Sequence, residues 1–131
     1  MTTCGLCITP RLFVTRVREN DGTVAAVVRL ARSDDGRRMM VDLVAGTGAE
    51  LVLAAEQLRQ DPVILALRNV VPAVWLVPSE LVAAVRAATG LRPPTASRLA
   101  GALAAMPALP GVRGHLRRLL PAVDSRQLAL L

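Results

Sequence analysis

The sequence predicts an α+β protein in which an N-terminal three-stranded antiparallel meander is followed by a mostly helical C-terminal half. Two Asp-Gly pairs, Asp21-Gly22 and Asp35-Gly36, separate three runs rich in valine and other apolar residues, and Asp-Gly supplies the positive φ angles of tight hairpin turns. From Ser79 onward apolar residues recur at helical spacing. The 131 residues suit one domain with one core.

Taken in order, residues 1–10 read as a flexible N-terminus and residues 11–45 as the meander, with strands over 12–18, 23–31 and 38–45. Residues 46–78 read as helix and mixed connector. Gly46-Thr47-Gly48 suits a flexible strand-to-helix turn, and residues 49–60 place Leu51, Ala55 and Leu58 at helical spacing, with Glu50, Glu56 and Arg59 elsewhere. Asp61-Pro62 reads as an N-cap followed by proline at the first helical position, which favours a short helix, although Val63-Ile64-Leu65 also suits a buried strand. Residues 70–77, β-branched, containing Trp75 and bounded by prolines, fit an edge strand or an extended connector.

Residues 79–131 form an arginine-rich helical part. Ser79 can cap a helix whose face is Leu81, Val82, Val85 and Ala88 and whose stop is Gly90. Pro93-Pro94 opens the next, which buries Ala96, Leu99, Ala100 and Leu103 and ends before Pro107. Short helices are expected over 112–120 and 124–131.

Composition narrows the function classes. The chain is 53% hydrophobic, and its nine glycines raise the apolar share to about 60%, above the roughly 45–50% of soluble domains. Part of that excess is expected to be buried against a partner, as in a homodimer or other homo-oligomer, or against a different protein. All sixteen basic residues are arginine, and Phe13 and Trp75 are the only aromatics, too few to build a stacking platform for single-stranded nucleic acid. Residues 1–85 hold nine arginines and nine acids, whereas 86–131 hold seven arginines against Asp124 alone, so the whole net charge of +6 lies in the last third. Such asymmetry suits an anionic partner. The first residues lack the charged and apolar regions of a signal peptide, and no apolar run approaches the ~20 residues of a membrane helix. A cytoplasmic protein without membrane contact is expected.

Within the basic third, Val85-Arg86-Ala87-Ala88-Thr89-Gly90-Leu91-Arg92-Pro93-Pro94-Thr95-Ala96-Ser97-Arg98-Leu99-Ala100 resembles the helix-turn-helix of IclR-type winged-helix regulators, over residues 82–103 only. The resemblance implies a turn at 91–94 and a recognition helix that presents Thr95, Ser97 and Arg98 to base edges in the major groove of double-stranded DNA. Arg92 and Arg98 would contact phosphate or guanine, and Arg113, Arg117 and Arg118 would extend the phosphate-neutralising surface. Two features depart from that family: Arg86 stands where a small residue packs between the helices, and residues 108–120 read as helix rather than as a two-stranded wing.

Other chemistry finds less footing. Val41-Asp42-Leu43-Val44-Ala45-Gly46-Thr47-Gly48 resembles the strand-to-loop motif of class I S-adenosylmethionine methyltransferases, but Val44 replaces its first glycine and the remaining residues are too few for a doubly wound sheet. No cofactor is assigned. Cys4-Gly5-Leu6-Cys7 has the spacing of half a zinc ribbon or of a redox pair, yet only His115 could add a further strong ligand. Two reduced thiols in a frayed segment are expected, with no metal. One histidine, no nucleophile elbow and no facing carboxylate pair argue against a catalytic site. The resulting expectation is a small intracellular regulator that binds DNA through a helix-turn-helix-like C-terminal part. The rival is a protein-interaction module, an adaptor, chaperone or accessory protein, that works through an apolar surface.

Overall fold

The computed structural model describes residues 1–89 and 95–119. Its centre is a six-stranded mixed sheet rather than a three-stranded meander. In chain order the elements are β1 (Thr3–Ile8), β2 (Leu12–Arg18), β3 (Val28–Ala31), α1 (Asp34–Thr47), β4 (Glu50–Ala54), α2 (Val63–Arg68), β5 (Val74–Val77), α3 (Ser79–Thr89), α4 (Ala96–Ala105) and β6 (Arg117–Leu119). The strand order is β3-β2-β1-β4-β5-β6. β1, β4 and β5 run parallel to one another, while β2, β3 and β6 pair antiparallel with their neighbours.

Alternation along each strand divides the core in two. On one side Leu6, Phe13, Leu51, Leu53 and Val74 meet Met40 and Val44 of α1 and Val63, Ile64 and Leu67 of α2. On the other, Cys7, Val14, Val52 and Val77 meet Val82 of α3 and Leu99, Ala100 and Leu103 of α4. The molecule is therefore a helix–sheet–helix stack, with an α1 face and an α4 face.

Several sequence expectations are corrected. Residues 1–10 are not a flexible end: β1 lies at the middle of the sheet and all six of its residues are buried. A strand covered on both faces shows no polar alternation, which is why it does not announce itself. The run 38–45 is helical. Ser33 caps α1, its side chain accepting the Gly36 N–H, and Asp34 and Asp35 occupy the first turn, where acids favour the helix dipole. The Asp35-Gly36 pair is thus a helix start. Gly36 is required there because a Cβ would fall 1.7 Å from the Ala31 carbonyl oxygen. The hairpin at Asp21-Gly22 does form: Gly22 has φ +89° and Asp21 accepts the Thr23 N–H at 2.9 Å.

Residues 49–60 are not a helix. Leu51 to Ala54 are buried on both sides of β4, followed by a 3-10 turn at Ala55–Gln57. Gly46-Thr47-Gly48 is correspondingly a helix-to-strand junction, with Gly48 as the left-handed cap of α1 at φ +66°, so the methyltransferase-like loop does not exist. α2 is the short helix expected after Asp61-Pro62. β5 is an interior strand because β6 continues the sheet beyond it. Residues 112–120 are not helical through their length: a 3-10 turn at Arg113–His115 leads into β6. α1 and α2 place half of the main helices before residue 70, so the chain has no all-helical second half. The expected helix over 124–131 and the start at Pro93-Pro94 lie outside the described residues. No described helix is long and apolar enough to cross a membrane.

Candidate functional site

In open α/β sheets, ligands favour the carboxyl ends of parallel strands. Here β1, β4 and β5 end at Ile8, Ala54 and Val77, and much of that edge is occupied by protein. The buried Gln57 side chain takes the Ile8 N–H at 3.0 Å and gives its own N–H to the Ile8 carbonyl at 2.9 Å, acting as a short extra rung beyond β1. Beside it Asp61, its side chain fully out of solvent, receives Arg32 Nε at 2.8 Å, Arg37 Nε at 2.9 Å and Arg37 Nη2 at 3.1 Å. The Val63 N–H adds a bond at 2.9 Å. Arg32 also reaches the carbonyls of Thr9 and Gln60. This network ties the β1–β2 turn, the end of β3, α1 and the start of α2 together. Its role is architectural.

Two openings border this edge: a recess of about 200 Å³ lined by Ala55, Pro78, Ser79, Glu80 and Arg117, below the ~300 Å³ at which small-molecule sites begin, and a groove of about 370 Å³ that runs past Leu58, Arg59, Asp61, Pro62 and Leu65. A shallower groove of about 440 Å³ runs past Pro78, Glu80, Leu81, Ala84 and His115.

The two cysteines stand three apart on one strand and so point in opposite directions. Cys4 lies in the α1-face core and Cys7 in the α4-face core, so they cannot share a metal ion or a disulfide. Burial pushes the Cys4 thiol up to about 11 despite its contact with the Thr15 hydroxyl. The frayed dithiol expected from the sequence is two separate core residues. Among the described residues no group of three or more His, Cys, Asp and Glu side chains could hold a metal.

No protein-family model matches the chain, and no curated protein is found similar to it. The candidate site therefore rests on the distribution of charge. Val14 faces α4, so Arg16 and Arg18, two and four residues on, lie on the same face, and Arg29 joins them as the cross-strand partner of Val14. Arg98 projects from α4 on the side away from its buried Leu99, Ala100 and Leu103. Arg118 is the cross-strand partner of Trp75, which packs against the α4-face core, and the Arg113 guanidinium lies 5.3 Å from the Trp75 ring centroid. None of these arginines forms an ion pair with a described residue. The described ion pairs all involve Arg32, Arg37 or Arg38, with Asp34, Asp35 or Asp61. Glu50, the strand carboxylate sharing the α4 face, lies two strands from Arg18 across Thr3.

The residues singled out from the sequence are thus divided. Arg98, Arg113 and Arg118 belong to the α4 face, but Arg117 is the cross-strand partner of Leu76 and faces the α1 side. Thr95 is the N-cap of α4, its Oγ1 accepting the Arg98 N–H at 3.2 Å, with the half-buried Ser97 hydroxyl 3.4 Å away. Arg92 and the turn at 91–94 lie outside the described residues, as does the side chain of Arg86. The helices flanking that turn are present as α3 and α4, and α4 beds on β1 and β2. Gly5 permits this: a Cβ there would fall 1.8 Å from the Ala100 carbonyl oxygen. Sequence reasoning missed Arg16, Arg18 and Arg29. Their sign is cancelled in a running charge count by the acids of α1, and only the strand alternation Val14-Arg16-Arg18 carries the signal.

Proposed function

We propose that the protein is a small, non-enzymatic cytoplasmic regulator that binds double-stranded DNA through its α4 face and acts as a homo-oligomer. The observation that carries this reading is a cluster of charge: Arg16, Arg18, Arg29, Arg98, Arg113 and Arg118 share one face without described ion pairs, whereas Arg32, Arg37 and Arg38 pair with Asp34, Asp35 and Asp61, and Arg59, Arg68 and Arg117, also without described ion pairs, lie off that face. Guanidinium groups held on a firm sheet and helix neutralise phosphates and release counterions, which supplies salt-sensitive affinity. Arg98 and Ser97 at the start of α4 are the side chains available for base edges, in keeping with the helix-turn-helix resemblance.

The test is a fluorescence-anisotropy titration of a random-sequence duplex across a salt series. Binding is expected to weaken steeply with salt. Arg16→Ala with Arg98→Ala should weaken it severalfold and lower the log–log salt slope by about 2. Arg59→Ala with Arg117→Ala removes the same charge away from the α4 face and should leave the slope unchanged. Equal effects of the two pairs, or no binding at low salt, would refute this surface.

A second reading, a protein-interaction module, is favoured by the α1 face. Met39 and Leu65 are 56% and 54% exposed, and grooves of about 440 and 460 Å³ border α1, one with Val28 and Leu30, the other with Pro62, Val63 and Ala66. Exposed apolar side chains beside apolar grooves are the usual footprint of a protein partner.

A further inference from the structure

Among the described residues, three side-chain atoms are buried without a hydrogen-bond partner: Glu50 Oε2, Arg68 Nε and Trp75 Nε1. Buried polar atoms of a folded protein are nearly always met by protein, water or a ligand. Glu50 and Trp75 line none of the grooves described above, whereas Arg68 lines the one of about 370 Å³ between α2, β6 and the segment that joins β4 to α2.

That groove has a charged part and an apolar part. Arg68 closes α2 and is half-buried, and Arg59 is exposed; neither forms a described ion pair. Leu58 and Leu119 pack against the α1-face core, the latter brought there by its pairing with Val74, and Pro62 and the 54% exposed Leu65 complete the apolar lining. Asp61 also borders the groove, but its carboxylate is out of solvent and held by Arg32 and Arg37.

We propose that this groove binds a small aliphatic monocarboxylate, with its carboxylate on Arg68 and Arg59 and its chain along Leu58, Pro62, Leu65 and Leu119. A guanidinium presents Nε–H and a neighbouring Nη–H as two parallel donors, which match the two oxygens of one carboxylate. The unpaired Nε of Arg68 is one half of that fork. The volume exceeds the ~300 Å³ at which small-molecule sites begin and suits a short chain. A dianion such as a phosphate monoester fits less well, because its second charge would face Asp61 or the leucines. The groove lies on the α1 side, so this inference is independent of the DNA-binding face, and either can fail without the other.

The test is a titration of the full-length, ¹⁵N-labelled protein with octanoate, following the arginine Nε–H signals by NMR and the stoichiometry by calorimetry. Arg68→Gln removes one signal and so assigns it. Saturable movement of that signal and one octanoate bound per chain are expected. Arg68→Gln should weaken binding about tenfold, as loss of a hydrogen bond to a charged group implies, and Arg59→Gln should weaken it severalfold. Octan-1-ol, which keeps the chain without the charge, and acetate, which keeps the charge without the chain, should both bind more weakly than octanoate. Arg113→Gln, on the other face, should change nothing. Circular dichroism verifies the fold of Arg68→Gln, and the exposed Arg59 supplies a second variant should that fold be lost. A stationary Arg68 signal, octanoate binding indifferent to the substitutions at 59 and 68, or octan-1-ol binding as tightly as octanoate would each overturn the proposal.

Discussion

Gln57 holds Ile8 by both of its backbone groups, accepting its N–H at 3.0 Å and donating to its carbonyl at 2.9 Å, across 49 positions of sequence. All of these groups are buried, so the pair substitutes for the strand partner that β4 no longer provides once it turns away at Ala55. Gln57→Leu leaves two backbone groups unpaired out of water, and a loss of about 2–4 kcal/mol in urea unfolding is expected. Gln57→Glu loses the donor and sets a carboxylate against a carbonyl. It should recover part of its deficit on acidification, when the protonated acid again offers a hydrogen to Ile8.

Asp61 makes stability depend on pH in the acid range. Burial alone would raise its carboxyl, but the bonds from Arg37, the Val63 N–H and Arg32 outweigh that and hold it at about 2. Unfolded aspartate titrates near 3.9, so the native state binds the proton later than the unfolded state does. The contribution, roughly 2–3 kcal/mol from a shift of this size, is complete above about pH 5 and is lost as pH falls towards 2. Asp61→Asn should remove most of it at neutral pH and flatten the acid limb of a Tm-against-pH curve. An unchanged acid limb in the variant would assign acid unfolding to other groups.

Gly5→Ala tests the seat of α4. The nearest atoms to the added Cβ are the Ala100 carbonyl oxygen at 1.8 Å and the Ala104 nitrogen at 2.8 Å. These are backbone atoms of a helix and cannot swing aside, so α4 must rise off the sheet. A loss of about 3 kcal/mol is expected, roughly 10 °C in Tm at this length. Gly114→Ala, where a Cβ meets nothing within 4 Å, is the neutral control.

Neither cysteine should react in the native protein. Cys4 is fully buried with its thiol held near 11, and Cys7 is 6% exposed. Iodoacetamide at neutral pH should label both on unfolding and neither before, and a zinc chelator should leave Tm unchanged. Rapid native labelling would mean that β1 opens locally.

Local signals were legible where one side chain fixes one geometry. Asp21-Gly22 marks its turn, Asp61-Pro62 its helix start, and the 3.6-residue spacing of Leu99, Ala100 and Leu103 the buried face of α4. The parallel centre of the sheet was not legible for one shared reason. β1 and β4 are covered on both faces, so CGLCI and LVLA carry no alternation, and the latter sits among residues that happen to repeat at helical spacing. Asp35-Gly36 misleads because the dipeptide that turns a hairpin also opens a helix after a serine cap. The basic face was half visible: Arg98, Arg113 and Arg118 stand in a run without acids, while Arg16, Arg18 and Arg29 are separated from α1's acids only by the sheet between them.

The hydroxyl of Thr3 donates to the carbonyl of Ala104 at 2.5 Å, and that bond sets a timetable for synthesis. β1 is translated before every strand and helix that flanks it, yet one side of it stays bare until residues beyond 100 have emerged. A nascent chain halted before α4 would leave Cys7, Val14 and Val52 without the Leu99, Ala100 and Leu103 that cover them, with Val82 of α3 as partial shelter, an invitation to chaperones and to aggregation. The helix that covers those residues also carries Arg98. No fragment lacking α4 should be both folded and competent to bind, and α4 excised as a peptide would lose the sheet that aims its arginine.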